Sequence, residues 1–210
     1  MENPLILLLV KVPGIVFGFT FHEFAHGLVA YLFGDNTPKK EGRLTLNPLA
    51  HMDIIGLIMI FYMNFGWAKP VHTNPSNFKK RKLATLLVSL AGCVANILLA
   101  VLFAGLLKLL FVFNVDTEKF SLLYISVYYA ITINLVLGIF NLIPLPPLDG
   151  SKILFNLISP RSYFKIIRYE YILQILLIVL VVTGIIPALV NPVIDYCLVL
   201  LEMLYKIKLI

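Results

Sequence analysis

Charge is scarce in this chain. Asp, Glu, Lys and Arg make up 13% of the 210 residues, where an ordinary soluble domain has about a quarter. Hydrophobic residues reach 60% and mean hydropathy is +0.94. So few polar side chains cannot clothe a surface in water, so a soluble domain is excluded and lipid is the expected solvent. Cysteine is rarer still. Cys93 and Cys197 both fall in apolar stretches, which excludes a disulfide framework or a thiolate cluster and leaves buried small hydrophobes. Repeats, low-complexity tracts and flexible linkers are missing, so one domain over residues 1–210 is expected. Basic residues exceed acidic ones, but none form a face interleaved with aromatics, which excludes nucleic acid as a partner. The apolar start has no basic stretch before it and no small-residue cleavage site after it, so no cleavable signal peptide is expected.

Long apolar runs are what the chain does have. Residues 5–33, 83–113 and 121–143 each suit a membrane span of about 20 residues. Residues 169–186 and 193–205 are read as two further helices. Residues 54–67 are apolar but short, and they hold Gly56 and Gly66; a re-entrant or interfacial segment is expected there, with a tilted or partial helix as the alternative. Leu44-Thr45-Leu46 has strand character between Gly42 and Asn47-Pro48, and residues 57–67 could pair with it as a hairpin that holds an unwound polypeptide. The expected fold class is an all-α polytopic membrane protein of about five transmembrane helices, with one re-entrant or short apolar segment. A small β element near the cytoplasmic face, within residues 42–71, completes it.

Lys and Arg placement orients this scheme. Lys39, Lys40, Arg43, Lys69, Lys79, Lys80, Arg81 and Lys82 lie between the first two long runs, and Lys152, Arg161, Lys165 and Arg168 follow the third. Lys206 and Lys208 lie in the tail, and the loop at 114–120 offers only Lys119. The alternation predicts an outer amino terminus and a cytoplasmic carboxyl terminus in a multi-pass cell-membrane protein.

The chemical signal is His22-Glu23-Phe24-Ala25-His26. On a helix, residues four apart share a face, so both imidazoles can meet one Zn²⁺ while Glu23 acts on water beside it. The motif lies inside an apolar run, roughly 16 Å from its cytoplasmic end. Two histidines and a glutamate at that depth are costly and need a function. Zinc enzymes commonly use three protein ligands and keep a position for water. Gly27-Leu28-Val29-Ala30-Tyr31 supplies no third ligand at short spacing, which excludes the metzincin pattern. Asp149 is the best remaining candidate, in the proline-rich stretch 141–150 that no helix can continue through. The competing reading is that Asp149 caps a helix starting at Ser151. Glu170 is a weaker alternative ligand, beside a basic helix start.

With these residues in place, the chain resembles the site-2 protease family of intramembrane zinc metallopeptidases. HExxH at 22–26, Gly92-Cys93-Val94-Ala95-Asn96 and Leu148-Asp149-Gly150 carry the resemblance, which covers nearly the whole chain. Residues 42–48 and 66–71 look like the compact bacterial branch without PDZ or CBS domains. Cys93 departs from the proline common in that family, a change at the local helix bend. The resemblance implies that His22, His26 and Asp149 bind one Zn²⁺, that Glu23 activates water, and that Asn96 hydrogen-bonds the substrate backbone or the developing oxyanion. Asn134 and Asn141 share a helix face; they either orient a ligand or the substrate, or hold the bundle by interhelical hydrogen bonds. His51 is read as structural or gating rather than metal-binding, and His72 as solvated or interfacial. The expected partners are a transmembrane protein substrate and lipid, with the site toward the cytoplasm. The rival is a transporter or a scaffold that traps membrane proteins. Neither needs HExxH with an aspartate.

Overall fold

Apolar backbone in lipid must satisfy its own N–H and C=O groups, and the helix does this within one segment. The computed structural model describes residues 4–63 and 66–209, and every named element among them is helical. These are α1 Pro4–Leu32, α2 Thr37–Lys40, α3 Ile54–Met63, α4 Arg81–Val112, α5 Ser121–Phe140, α6 Asp149–Leu157, α7 Pro160–Ile167, α8 Glu170–Val182 and α9 Ile185–Tyr205. Four of them, α1, α4, α5 and α9, are long and apolar enough to cross a membrane.

Helices α1, α4 and α5 pack on one another and frame the centre of the molecule. Small residues let the backbones approach. A Cβ on Gly14 would sit 2.8 Å from the Cα of Ala130, and one on Gly18 would sit 2.7 Å from Leu137 Cδ1. At Gly14 only hydrogen lets the two backbones approach, whereas at Gly18 the near neighbour is a side-chain tip. Away from the site, Ala100, Ala104, Ile131, Leu135, Val190, Ile194 and Leu198 form a dry cluster joining α4, α5 and α9.

The region between α1 and α4 departs from expectation. Residues 44 and 45 form a bend and 46 is irregular rather than strand, and residues 54–63 are helix rather than its hairpin partner. The remaining β pairing among the described residues is one antiparallel bridge, Met52 to Ala68, with Lys69 N donating to His51 O at 2.9 Å. A lone apolar run with no partner strand satisfies its amides only by coiling, which explains the helix. Asn64 and Phe65, within the expected re-entrant stretch 54–67, lie outside the described residues. The bridge nonetheless brings the two ends of that stretch together. A single crossing would set them about 30 Å apart.

The carboxyl-terminal helices also differ from expectation. The break falls at Gly184, whose φ of +81° suits glycine, and not after Ile186. Pro187 lies in the first turn of α9, where its missing N–H costs nothing, so it does not end the helix. The expected fifth span is therefore a 13-residue helix, α8, about 20 Å long, followed by a 21-residue α9. The Tyr205 side chain packs on Gly105, its hydroxyl 3.3 Å from where a Cβ would stand. The end of α9 thus lies beside Gly105 of α4. Were only these four helices to cross, both termini would lie on one side, whereas an outer amino terminus with a cytoplasmic carboxyl terminus needs a fifth crossing.

In a C197S background, cysteines placed at Thr117 and Lys206 should react with a membrane-impermeant thiol reagent from the same side, and a cysteine at Lys40 from the other. Opposite labelling of 117 and 206 would mean that α8 crosses.

Candidate metal centre

The HExxH helix, α1, turns three of its motif residues inward. His22, Glu23 and His26 are 6%, 9% and 7% exposed. The third partner arrives by a different route. After Phe140 the chain leaves helical geometry through Pro144, Pro146 and Pro147 and then starts α6 at Asp149. Gly150 makes this possible: its N–H donates to Asn141 O at 2.7 Å, and a Cβ there would stand 2.2 Å from Leu142 O. Asp149 is consequently delivered, 5% exposed, onto the two imidazoles.

The three donor atoms form a tight triangle. His22 Nε2 is 3.0 Å from His26 Nε2, and Asp149 Oδ2 is 3.1 Å and 2.9 Å from these two nitrogens. Donors about 2.0–2.2 Å from a tetrahedral zinc stand roughly 3.3 Å apart, so the triangle fits. His22, His26 and Asp149 are the one group of metal-ligating side chains among the described residues.

Hydrogen bonding supplies an independent test of fit. His26 Nδ1 lies 2.6 Å from Val88 O, which can only accept, so Nδ1 carries the proton. His22 Nδ1 lies 2.6 Å from Asn96 Oδ1. The Asn96 amide nitrogen donates to Gly18 O at 3.0 Å and to Asn134 Oδ1 at 2.9 Å, which leaves its oxygen as the acceptor for His22. Asn134 in turn donates to Ala130 O at 2.8 Å. Neutral rings would then turn both Nε2 lone pairs toward one another and toward a carboxylate oxygen, a donor set that a divalent cation satisfies.

Gly92 gives that cation room. A Cβ there would lie 2.6 Å from the Nε2 atoms of both His22 and His26. Beside the triangle a cavity of about 1080 Å³ is lined by Glu23, Trp67, Val71, Asn141, Asp149 and Lys152, among others.

The resemblance to known proteins agrees with this chemistry. The model described as Peptidase family M50 matches residues 112–184, which contain Asp149 but not the HExxH. Three relatives carry the name "putative zinc metalloprotease". YwhC of Bacillus subtilis is 44% identical over 86% of this chain and 83% of its own length. Rip2 of Mycobacterium tuberculosis is 31% identical over 72% of this chain, which spans 58% of that relative. MJ0611 of Methanocaldococcus jannaschii is 30% identical, covering 71% of each. No solved structure matches. The chain belongs to peptidase family M50.

As an M50 peptidase it is a zinc metallopeptidase of site-2 protease type and a multi-pass membrane protein. Several of its residues escaped the sequence reading. Val71 N donates to Glu23 Oε2 at 2.8 Å, fixing the carboxylate beside the triangle. The segment carrying Val71 is pinned twice. Arg43 bridges Ala50 O and Pro70 O. Fully buried Asp35 accepts from the amide of Asn74 at 2.6 Å, from Asn77 Nδ2 at 2.8 Å and from the Thr37 hydroxyl at 2.6 Å. A buried carboxylate surrounded by loop amides leaves no sequence pattern, because its partners lie about 40 residues away. Lys152, read only as a topology marker, places Nζ 2.9 Å from Asp149 Oδ1.

The other candidate residues stand apart from the triangle. His51 is fully buried, its Nε2 donates to Thr45 O at 2.8 Å, and it lies outside the metal-ligating group. His72 is exposed and pairs with Glu41 at 3.1 Å. Glu170 lines the cavity but is no member of the group. Asn134 joins the bundle network, while Asn141 caps α5 with Nδ2 on Leu137 O and borders the cavity.

Two outcomes follow. Gly92→Ala puts a methyl against both ligand nitrogens, and zinc affinity should fall about tenfold or more by chelator competition. Burial pushes the Asp35 carboxyl up, but the donors of Thr37, Asn74 and Asn77 outweigh burial and hold it below its ordinary value. The anchor therefore stabilises above the ordinary carboxylate pKa of about 4 and is lost as pH falls through the lower folded value. Emission from Trp67, the sole tryptophan, should shift in that acid range, and Asp35→Asn should produce the shift at neutral pH.

Proposed function

We propose that this chain is an intramembrane zinc endopeptidase that hydrolyses a peptide bond in or near a transmembrane segment of another membrane protein, as in regulated intramembrane proteolysis. His22, His26 and Asp149 are the zinc ligands and Glu23 is the base. The observation that carries the reading is the Nε2–Nε2–Oδ2 triangle on apolar helices, with a carboxylate one residue from the first histidine.

When bound, zinc supplies the positive charge that polarises a peptide carbonyl and acidifies water. The chain's own residues do the rest. Asn96 keeps the proton of His22 on Nδ1, and Val88 does the same for His26, so both Nε2 atoms stay free to ligate. This is the role we assign to Asn96, since its amide is committed to His22, Gly18 and Asn134. Glu23 takes the proton of the attacking water and returns it to the leaving amine. The Val71 amide, donating to Oε2, holds the Glu23 carboxylate beside the triangle. Asn141, on the cavity wall, is placed to hydrogen-bond an extended substrate backbone.

The concentration of Lys and Arg between α1 and α4 and after α5 supports a cytoplasmic location for those segments, with the site on the cytoplasmic side. Both termini then lie outside.

The test uses purified protein in lipid nanodiscs with a model transmembrane polypeptide carrying a reporter at each end. Glu23→Gln should keep its zinc and lose about 10²–10⁴-fold in cleavage rate. Asp149→Ala should lose zinc. Full cleavage by Glu23→Gln would reject Glu23 as the base, and full zinc in Asp149→Ala would reject Asp149 as a ligand.

A further inference from the structure

We propose that Lys152 is a positioning residue that confines Asp149 to a single ligating oxygen. The inference rests on the ligand assignment above and concerns how, not whether, Asp149 binds.

The two carboxylate oxygens of Asp149 lead different lives. Oδ2 faces the imidazoles at 3.1 Å and 2.9 Å. Oδ1 faces Lys152 Nζ at 2.9 Å, and among the described residues no other donor reaches it. The amide and hydroxyl donors closest in sequence are engaged elsewhere. Gly150 N donates to Asn141 O, and both Ser151 N and Oγ donate to Leu148 O. The Asp149 side chain is 6% exposed and that of Lys152 is 58% exposed. The ammonium thus reaches in from the wet side of the cavity, keeping most of its hydration while giving a buried oxygen its partner. An exposed ion pair contributes little to stability. Here the carboxylate is buried and its second oxygen already committed, so the pair acts on geometry.

The consequence is chemical. Carboxylates bind metals through one oxygen or two, and a catalytic zinc with three protein ligands keeps a fourth position open. If Oδ1 were released, a small rotation of the carboxylate would bring it toward the same cation as an added ligand beside that position, raising the coordination number from four to five. Lys152 sits three residues after Asp149, on the first turn of α6, where i and i+3 share a face, so the helix itself delivers the restraint.

The test substitutes Co²⁺ for zinc, because its visible absorption is strong when four-coordinate and weak when five- or six-coordinate. Native protein, Lys152→Met, Lys152→Arg and Asp149→Ala are each titrated with Co²⁺ alone. The expected result is one equivalent bound by Lys152→Met with visible absorption reduced at least twofold, and a native spectrum restored in Lys152→Arg. Lys152→Gln serves as a second neutral variant and should match Met. A native spectrum in both neutral variants would overturn the proposal. Loss of Co²⁺ from both would also overturn it, since Lys152 would then govern occupancy rather than the mode of binding. If Asp149→Ala instead binds Co²⁺ with the native spectrum, Asp149 is not a ligand and the underlying reading fails, independently of Lys152.

Discussion

Two imidazole Nε2 atoms 3.0 Å apart, facing a buried carboxylate oxygen, are the arrangement the rest of the molecule is organised to sustain. With both rings neutral it is unfavourable on its own, because three lone pairs converge. A divalent cation turns the same convergence into a stable site. The surrounding structure keeps the donors from relieving the repulsion by moving away. The Val88 carbonyl and the Asn96 amide fix the imidazole rings, and Gly92 leaves an open space in front of them.

The asparagine network extends that control into the bundle. Asn134 is tied to Ala130 O and Asn96 to Gly18 O, so backbone carbonyls on α5 and α1 set the orientation of a ring on α1 through a side chain on α4. Each link is buried, and breaking one would strand a polar group at a cost of about 1–3 kcal/mol. Packing and chemistry share the same residues here. Gly14 and Gly18 bring α1 close enough to α5 for the amides to reach.

Much of this was legible in the sequence, and for identifiable reasons. The spacing of His22 and His26 follows from helix geometry, and the prolines before Asp149 mark a break that only a buried function justifies. The convergence of three helices was not readable, because nothing local relates Gly92 to His26. The Asn96 side chain was assigned to substrate by resemblance, whereas the structure turns it to His22. The strand at 44–46 failed because its flanking punctuation said nothing about a partner, and without one the apolar run at 54–63 coils. The helix break near 184 was misplaced because proline drew the boundary that glycine makes. Asp35 and Val71 were invisible, since their roles arise from backbone amides contributed by a distant loop.

The rigidity of the central trio divides labour within the molecule. Helix α1 lies close against α5 at Gly14, and the three helices are laced together by buried amides. On the proposed reading, any widening that admits a polypeptide would fall to parts outside this trio and its pinned loop, such as short α3 and α6 with its basic flank. The central frame would then serve as a fixed anvil, with selectivity left to the pieces around its rim.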